Sequence, residues 1–286
     1  MKKWNLIVDV ANCTNCNLCT VALQDEHTGN NFPGYAEEMP KHGHRWIEIE
    51  RRERGTPPVT DVAYLPVMCQ HCDVAPCIAA APDAISKRPD GIVLIDPVKA
   101  KGRRDIVDAC PYGAIWWNEE KQLPQHWFFD AHLLDAGWDE PRCVTVCATN
   151  SLKAVKVEDA EMQQLVVEQE LEQLRPDLET RSRVHYKNLW RYTKVFIAGT
   201  VSAENEGTID CLANATATLV RDGKTVAEQQ TDVFGDFKFD RLDPDGSTYQ
   251  LKLTAAGFST TNVKLVLYET QNVGEIRLLL TSVSDA

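Results

Sequence analysis

The most informative feature of this 286-residue chain is a loop of three closely spaced cysteines. The segment Cys13-Thr-Asn-Cys16-Asn-Leu-Cys19 has the C-x2-C-x2-C spacing with which one loop can supply three thiolates to a [4Fe–4S] cluster. In the bacterial ferredoxin sequence a fourth cysteine follows after three more residues and ligates a different cluster. Leu23 occupies that position here, so the loop predicts a cluster of its own and no ligand for a neighbouring one.

Two further cysteine runs are incomplete in a related way. The second run contains Cys69, Cys72 and Cys77, with Ala81 where a fourth cysteine would stand. The third run retains only Cys110, which is followed by proline, as the last cysteine of a ferredoxin run is. Each run therefore predicts some of the ligands of a cluster but not a complete set.

The fourth run ends in a C-x3-C pair, Cys143 and Cys147, and has Trp127 and Asp130 where an earlier cysteine pair would fall. Cys147 is the candidate ligand of this run. Cys143 is predicted to be an ordinary buried thiol, and so is Cys211, the last cysteine of the chain, because unliganded cysteines are common in protein cores.

A pairing rule explains why the four runs are broken. In twin ferredoxin folds the runs pair, and each gives three ligands to one cluster and its fourth to the cluster of its partner. Pairing the first run with the fourth and the second with the third completes two sets. The first set is Cys13, Cys16, Cys19 and Cys147; the second set is Cys69, Cys72, Cys77 and Cys110. We therefore predict two [4Fe–4S] clusters, with the two reciprocal clusters lost as units.

Two alternatives remain open on the residues alone. Each set could instead hold zinc, which structural sites bind through four cysteines. A further metal could also lie between Cys143 and either Asp130 or His126. Whichever metal the two sets hold, a site that has lost its cluster must be refilled by side chains, because protein interiors do not tolerate large voids. The residues suited to that role are Leu23, Trp127 and Phe128.

The elements that must position the cysteines divide the chain in two. Nine of the ten cysteines lie between Cys13 and Cys147, in a part with short predicted strands and a helix over residues 158–174. From residue 193 short β-branched runs alternate with turn signals, which is typical of a small all-β, immunoglobulin-like sandwich. We therefore predict an α+β fold, with a twin [4Fe–4S] ferredoxin-like domain over residues 1–192 and a β-sandwich over residues 193–286.

Composition narrows the class of partner and the compartment. The net charge of −12 argues against nucleic acid or an anionic membrane surface, because both select basic faces. No stretch approaches the roughly 18 consecutive apolar residues of a membrane helix, and the N-terminal residues lack the apolar region of a secretory signal. We therefore expect a cytoplasmic protein with no nucleic-acid or membrane partner, whose cysteines are metal ligands before they are disulfides.

Several segments carry a family resemblance. Among them are Gly43-His-Arg-Trp-Ile-Glu-Ile-Glu-Arg-Arg-Glu-Arg-Gly55, residues 91–102, 110–113, 117–120 and 131–135, and Thr231-Asp-Val-Phe-Gly-Asp-Phe-Lys-Phe-Asp240. With the cysteine runs, they resemble the iron–sulfur subunits of dimethyl-sulfoxide-reductase-family molybdenum enzymes. The closer resemblance is to the small subunits of the pyrogallol–phloroglucinol transhydroxylase and resorcinol hydroxylase group. The transhydroxylase pattern has cysteines at the positions of Leu23, Trp127 and Asp130, and hence one more cluster.

The resemblance implies a division of labour between two chains. A large catalytic subunit would carry molybdenum with two molybdopterin guanine dinucleotides, and this non-catalytic chain would hold clusters for electron transfer and pack against it. The alternatives are a resorcinol hydroxylase small subunit passing electrons to an external acceptor, a free-standing carrier, and a mainly structural cluster-binding subunit. The second domain resembles transthyretin-like or carboxypeptidase-regulatory modules, for which we expect a packing role.

Overall fold

The computed structural model describes residues 1–205 and 207–281, so parts of the predicted second domain, residue 206 and residues 282–286, lie outside the described residues. The described chain forms two compact units. The first unit is Met1–Arg51 with Ala63–Tyr192, and the second is Arg52–Val62 with the described residues from Thr193 onward. The sequence prediction placed residues 52–62 in the first domain, whereas the structure groups them with the second unit.

The first unit combines short strands and short helices. Its strands are β1 (Lys3–Asp9), β2 (Ile47–Thr56), β3 (Val59–Met68), β4 (Ile85–Lys87), β5 (Val93–Ile95), β6 (Trp116–Asn118), β7 (Leu123–Gln125), β8 (Leu152–Val157) and β9 (Val184–Lys187), of which β2 and β3 continue into the second unit. Its helices are α1 (Leu18–His27), α2 (Pro76–Ala80), α3 (Asp105–Asp108), α4 (Ala131–Asp135), α5 (Arg142–Thr145), α6 (Asp159–Glu168) and α7 (Trp190–Thr193), with a 3-10 helix at Pro176–Leu178.

A three-stranded sheet is the centre of the first unit. Strand β1 pairs antiparallel with β8 and parallel with β9, and the pairs β2–β3, β4–β5 and β6–β7 form separate two-stranded sheets. Successive side chains of a strand point to opposite faces. Leu6 and Val8 therefore face the main core, while Ile7 packs on the other face against Met162 of α6. Both faces of β1 are covered, which explains its continuous apolar sequence.

Helix α6 is shorter than the helix predicted over residues 158–174. It ends at Glu168, and Glu170 follows with a left-handed φ of 52°. A residue in this conformation ends an α-helix, so the helix ends six residues before its predicted end. Within the described residues, no helix is both long and apolar enough to cross a membrane.

The second unit consists mainly of strands. They are β10 (Val195–Asn205), β11 (Thr208–Cys211), β12 (Thr216–Arg221), β13 (Lys224–Gln230), β14 (Asp236–Leu242), β15 (Ser247–Thr254), β16 (Thr261–Leu267) and β17 (Gln271–Leu278). One sheet joins β10 to β11, β14 and β17, and the other has the order β13-β12-β15-β16. Phe237 and Phe239 of the first sheet share one core with Leu251 and Leu253 of the second. Two sheets over a common core form a β-sandwich.

The tip of the β2–β3 hairpin belongs to this second unit because of two neighbouring residues. The Arg54 guanidinium donates a hydrogen bond of 2.9 Å to Oδ1 of Asp240. Gly55 has a φ of 86°, and a Cβ atom there would lie 2.8 Å from the Phe196 ring. The hairpin tip therefore packs closely where only glycine fits.

Candidate metal centres

The four cysteines of the second set surround one cavity in the first unit. Cys69 and Cys72 lie on the loop after β3, Cys77 lies on α2, and Cys110 follows α3. The remaining lining is largely apolar and includes Val93, Ile95, Ile115, Pro76 and Pro111. The chain thus brings residues 41 positions apart in sequence, from Cys69 to Cys110, around a single enclosed site.

The electrostatics of the second set show what kind of ligand it needs. Burial raises the pKa of Cys69 well above its usual value, with the neighbouring thiols adding to the effect. Burial likewise raises the pKa of Cys77 to about 11, and Cys110 and Cys72 contribute next. Thiols crowded without a counter-cation stay protonated, whereas a bound metal centre draws off their protons, because the thiolate is the ligand. The donor set therefore fits a polynuclear iron centre, each iron of which takes its own thiolate.

Polar groups hold the second set's loop in position. Lys87 Nζ donates hydrogen bonds of 2.7 Å to the backbone oxygens of His71 and Cys72, and it pairs with Asp73 at 2.8 Å. The Val93 N–H donates to Nδ1 of His71 at 3.1 Å. Strand β4, which carries Lys87, therefore fixes the loop backbone between two of the predicted ligands.

The four cysteines of the first set are also neighbours. Cys13, Cys16 and Cys19 lie on the loop after β1 and the start of α1, and Cys147 follows α5. Burial raises the pKa of Cys13, and the nearby Cys147 and Cys16 raise it further. Burial raises the pKa of Cys19 to about 11, with smaller contributions from Cys13 and Cys16. The distant Cys147 is thus brought to the first loop.

The central sheet is the reason Cys147 reaches this loop. Val8 of β1 pairs with Leu152 of β8 in antiparallel register, so the chain entering β8 runs beside the chain leaving β1. Ser151 fixes this crossing because its hydroxyl donates to the Asp9 backbone oxygen at 2.8 Å, and the Asp9 N–H donates to the Ser151 backbone oxygen at 2.7 Å. The segment before β8, which contains Cys147, therefore lies next to the loop after β1.

The first site lies close to the surface. Cys16 is exposed, and so are Leu18 and Val21 on α1, at 41% and 54%. Asn15 and Asn17 have φ values of 57° and 60°. Asparagine tolerates this left-handed conformation better than most residues, so the non-cysteine residues of the loop suit its tight turns.

The two cysteines outside the sets differ. Cys143 is fully buried in the main core, as the sequence indicated. The prediction for Cys211 was wrong: it is exposed, because it lies on β11, whose four residues are all exposed. His126 lines the second set's cavity and forms a hydrogen bond of 3.0 Å with the Val93 backbone oxygen.

Single-metal geometry is not found in the described part of the chain. There, no group of three or more histidine, cysteine, aspartate or glutamate side chains could hold one metal ion. The second set surrounds a cavity instead of a point. Lys87 and Ser151, which position the two sets, are ordinary residues in sequence, and no motif marks them.

Comparisons with known proteins show which family the chain resembles. A family model described as a 4Fe-4S dicluster domain matches residues 60–157. The small subunit of pyrogallol hydroxytransferase from Pelobacter acidigallici is 41% identical over 281 residues, which is 97% of this chain and 100% of the relative. The thiosulfate reductase electron transfer subunit PhsB of Salmonella typhi is 29% identical and covers 58% of this chain and 82% of its own. A tetrathionate reductase subunit of Salmonella typhimurium is 34% identical, over 51% of this chain and 54% of its own.

The dicluster family model and these relatives define the class: this is a ferredoxin-like iron–sulfur subunit of the kind found in molybdenum enzymes. Within that class, the full-length match shows that the chain belongs to the family of the pyrogallol hydroxytransferase small subunit. The family predicted from the sequence is thereby confirmed.

Proposed function

We propose that this chain is the non-catalytic iron–sulfur small subunit of a heteromeric molybdopterin enzyme that hydroxylates or transhydroxylates phenolic rings. The observation that carries the proposal is the 41% identity to a pyrogallol hydroxytransferase small subunit across the whole of that relative. The catalytic partner would be a large subunit with bis-molybdopterin guanine dinucleotide molybdenum. This chain would transfer electrons and pack on that subunit.

Two [4Fe–4S] clusters are proposed as the cofactors of this chain, held by the first and second sets of cysteines. When bound, they supply one-electron transfer. The protein's part is to hold them and to keep water away: Cys69 and Cys72 are buried, and Val93 and Ile95 close the second cavity with apolar surface. Lys87 holds the ligand loop by its backbone.

The first site is the better candidate for the side that meets the large subunit. Its Cys16 is exposed, and the neighbouring Leu18 and Val21 present apolar surface beside it. Apolar residues of this kind are typical of the core of a stable interface. We further propose a cytoplasmic location, which is supported by the lack of a disulfide among the ten cysteines, because disulfides are rare in a reducing compartment.

The proposal is tested by co-purification from the native host through an affinity tag on this chain, followed by iron and molybdenum analysis. We expect a large molybdenum-containing partner and about eight irons per small subunit, from two four-iron clusters. About twelve irons, or a stable cluster-loaded chain without a partner, would contradict it. Electron paramagnetic resonance during turnover distinguishes the roles: a cluster that is reduced by substrate is an electron carrier, and clusters that never change oxidation state are structural.

A further inference from the structure

The pocket predicted to have lost a cluster contains a pair of ionisable side chains that packing does not require. Leu23 and Trp127 fill this pocket with apolar atoms and are fully buried. Yet His27 and Asp130 are also 0% exposed there, with Nε2 of the histidine 3.7 Å from Oδ1 of the aspartate. We call these two residues the His27 pair. Burying a carboxylate is costly unless it is fully paired, so apolar side chains alone would refill the pocket more favourably.

The His27 pair lacks the hydrogen bonds that usually accompany burial. In the described part of the chain, neither ring nitrogen of His27 nor Oδ1 of Asp130 has a hydrogen-bond partner. The other carboxylate oxygen of Asp130 accepts a hydrogen bond of 2.9 Å from the backbone N–H of Arg142. Buried polar groups are nearly always satisfied, and each exception needs an explanation. Here the facing nitrogen and oxygen need only a proton and a small movement to form a hydrogen bond.

The local backbone and the surrounding rings hold the pair in place. Asp130 and the preceding Phe129 have left-handed φ values of 48° and 60°. Such conformations are strained for non-glycine residues and persist where the surroundings enforce them, often at functional sites. Aromatic rings enclose the imidazole: Trp46 is at 4.8 Å and Phe128 at 5.2 Å between centroids. The imidazole therefore has little freedom to turn toward solvent.

Two more ionisable side chains lie between the pair and the surface. The His132 ring lies 5.4 Å from the His27 ring, and its Nδ1 has no hydrogen-bond partner among the described residues. Its Nε2 is hydrogen bonded to Oε1 of Glu26 at 2.9 Å. Glu26 is 18% exposed and pairs with Arg142, which also reaches the exposed Asp25. The pair thus lies near a partly exposed carboxylate, although no hydrogen bond links His132 to His27 among the described residues.

The pair lies beside the first cysteine set. His27 is on α1 together with Cys19, eight residues apart, which corresponds to about 12 Å along the helix axis. Cys143 is close to both the pair and the set: after burial, Asp130 and then Cys19 raise the pKa of its thiol. An electron added at the first set would therefore act on the pair across protein interior.

We propose that the His27 pair is a proton-binding site, which takes up one proton when the first cluster gains one electron. The inference rests on the proposed function, since it requires that cluster. The electron comes from the reduced molybdenum centre of the partner subunit, or from dithionite in an assay. The proton comes from solvent, and one N–H bond forms at Nε2 of His27, directed at Oδ1 of Asp130.

The size of the coupling follows from the separation. Two unit charges about 12 Å apart, at an effective dielectric constant of about 20, change a proton affinity about tenfold. Linkage is reciprocal, and a tenfold change in an equilibrium constant corresponds to about 59 mV for a one-electron couple. The potential of the first cluster should therefore fall by about 59 mV in total as the pH rises through the titration of the pair.

The experiment is redox potentiometry of the purified complex between pH 5.5 and 9, followed by electron paramagnetic resonance. In the wild type one cluster should show this fall and the other should not. Asp130→Asn and His27→Phe should both remove it while two cluster signals remain. His185→Gln, which changes a buried histidine on β9 outside this pocket, should keep it.

Wild-type potentials that do not change with pH would overturn the inference even if every variant failed to fold. So would a pH dependence that survives in both pair variants. An additional metal ion in the wild type that is lost from both variants would also overturn it, since the pair would then be a metal site. If fewer than two cluster signals are present in the wild type, the proposed function has failed instead, and the two failures are thus distinguished.

Discussion

Replacing Lys87 by methionine should release the second cluster much faster without affecting the first. The Lys87 ammonium donates 2.7 Å hydrogen bonds to the backbone oxygens of His71 and Cys72. Hydrogen bonds to a charged group contribute about 1.5–3 kcal/mol each, so two of them set a range of about 3–6 kcal/mol. Because Lys87 is 20% exposed and water can reach part of the site, we take the lower end, about 3 kcal/mol.

That free energy translates into a rate that can be measured. If cluster loss proceeds through local opening of the loop, about 3 kcal/mol increases the open population roughly 100-fold. The assay follows the visible absorbance of the complex after addition of an iron chelator. Half of the absorbance, from the second cluster, should bleach about 100-fold faster in Lys87→Met, and the other half should bleach at the wild-type rate.

Lys99→Met is the matched control, because Lys99 is 62% exposed and forms only a loose 3.8 Å pair with Asp96. It should bleach as the wild type does. If the second cluster of Lys87→Met bleaches less than threefold faster than that of the wild type, the loop is not held by this lysine. If both halves accelerate equally, the substitution destabilises the whole unit, and the local explanation is wrong.

Three further predictions concern stability. Burial lowers the pKa of His185 to about 4 from about 6.5 in the unfolded chain. The free energy of unfolding should therefore be full above pH 6.5 and fall by about 2 kcal/mol between pH 7 and 5. In His185→Gln, thermal unfolding should no longer show that part of the pH dependence. Gly55→Ala should destabilise by more than about 1 kcal/mol, because a Cβ would lie 2.3 Å from the Val59 backbone oxygen, whereas Gly43→Ala, with a similar φ and open space, should cost less. Leu23→Ala should cost about 2–5 kcal/mol in denaturant unfolding, since Leu23 is fully buried; a cost below about 1 kcal/mol would mean that the pocket collapses freely.

The cysteine sets could be predicted from the sequence because cluster ligands follow strict local spacing. The loop of Cys13 to Cys19 and the loop of Cys69 to Cys77 each predict three ligands. Pairing the incomplete cysteine runs then assigns the distant fourth ligand of each cluster. The structure then brings Cys147 to the first loop through the β1–β8 register. The ligand roles themselves stay predictions until a cluster is measured.

Other parts of the site depend on tertiary contacts that no local pattern encodes. Lys87 is one lysine among many until β4 places it against the ligand loop. His27 ends an ordinary helix, and only packing brings it to Asp130. The burial of Cys211 was wrongly predicted, because the residue type alone does not reveal that all four residues of β11 are exposed. The hairpin tip at Arg54 likewise joins the second unit through contacts far apart in sequence.

The iron content of single-cysteine variants tests the central claim, the two-set assignment, most directly. The purified complex of the wild type should contain about eight irons per small subunit. Cys147→Ala and Cys110→Ala should each leave about four, because each removes the distant ligand of one cluster. Cys143→Ala, which changes a buried cysteine outside both sets, should leave about eight. A wild-type iron content in Cys147→Ala, or a loss of four irons in Cys143→Ala, would contradict the assignment.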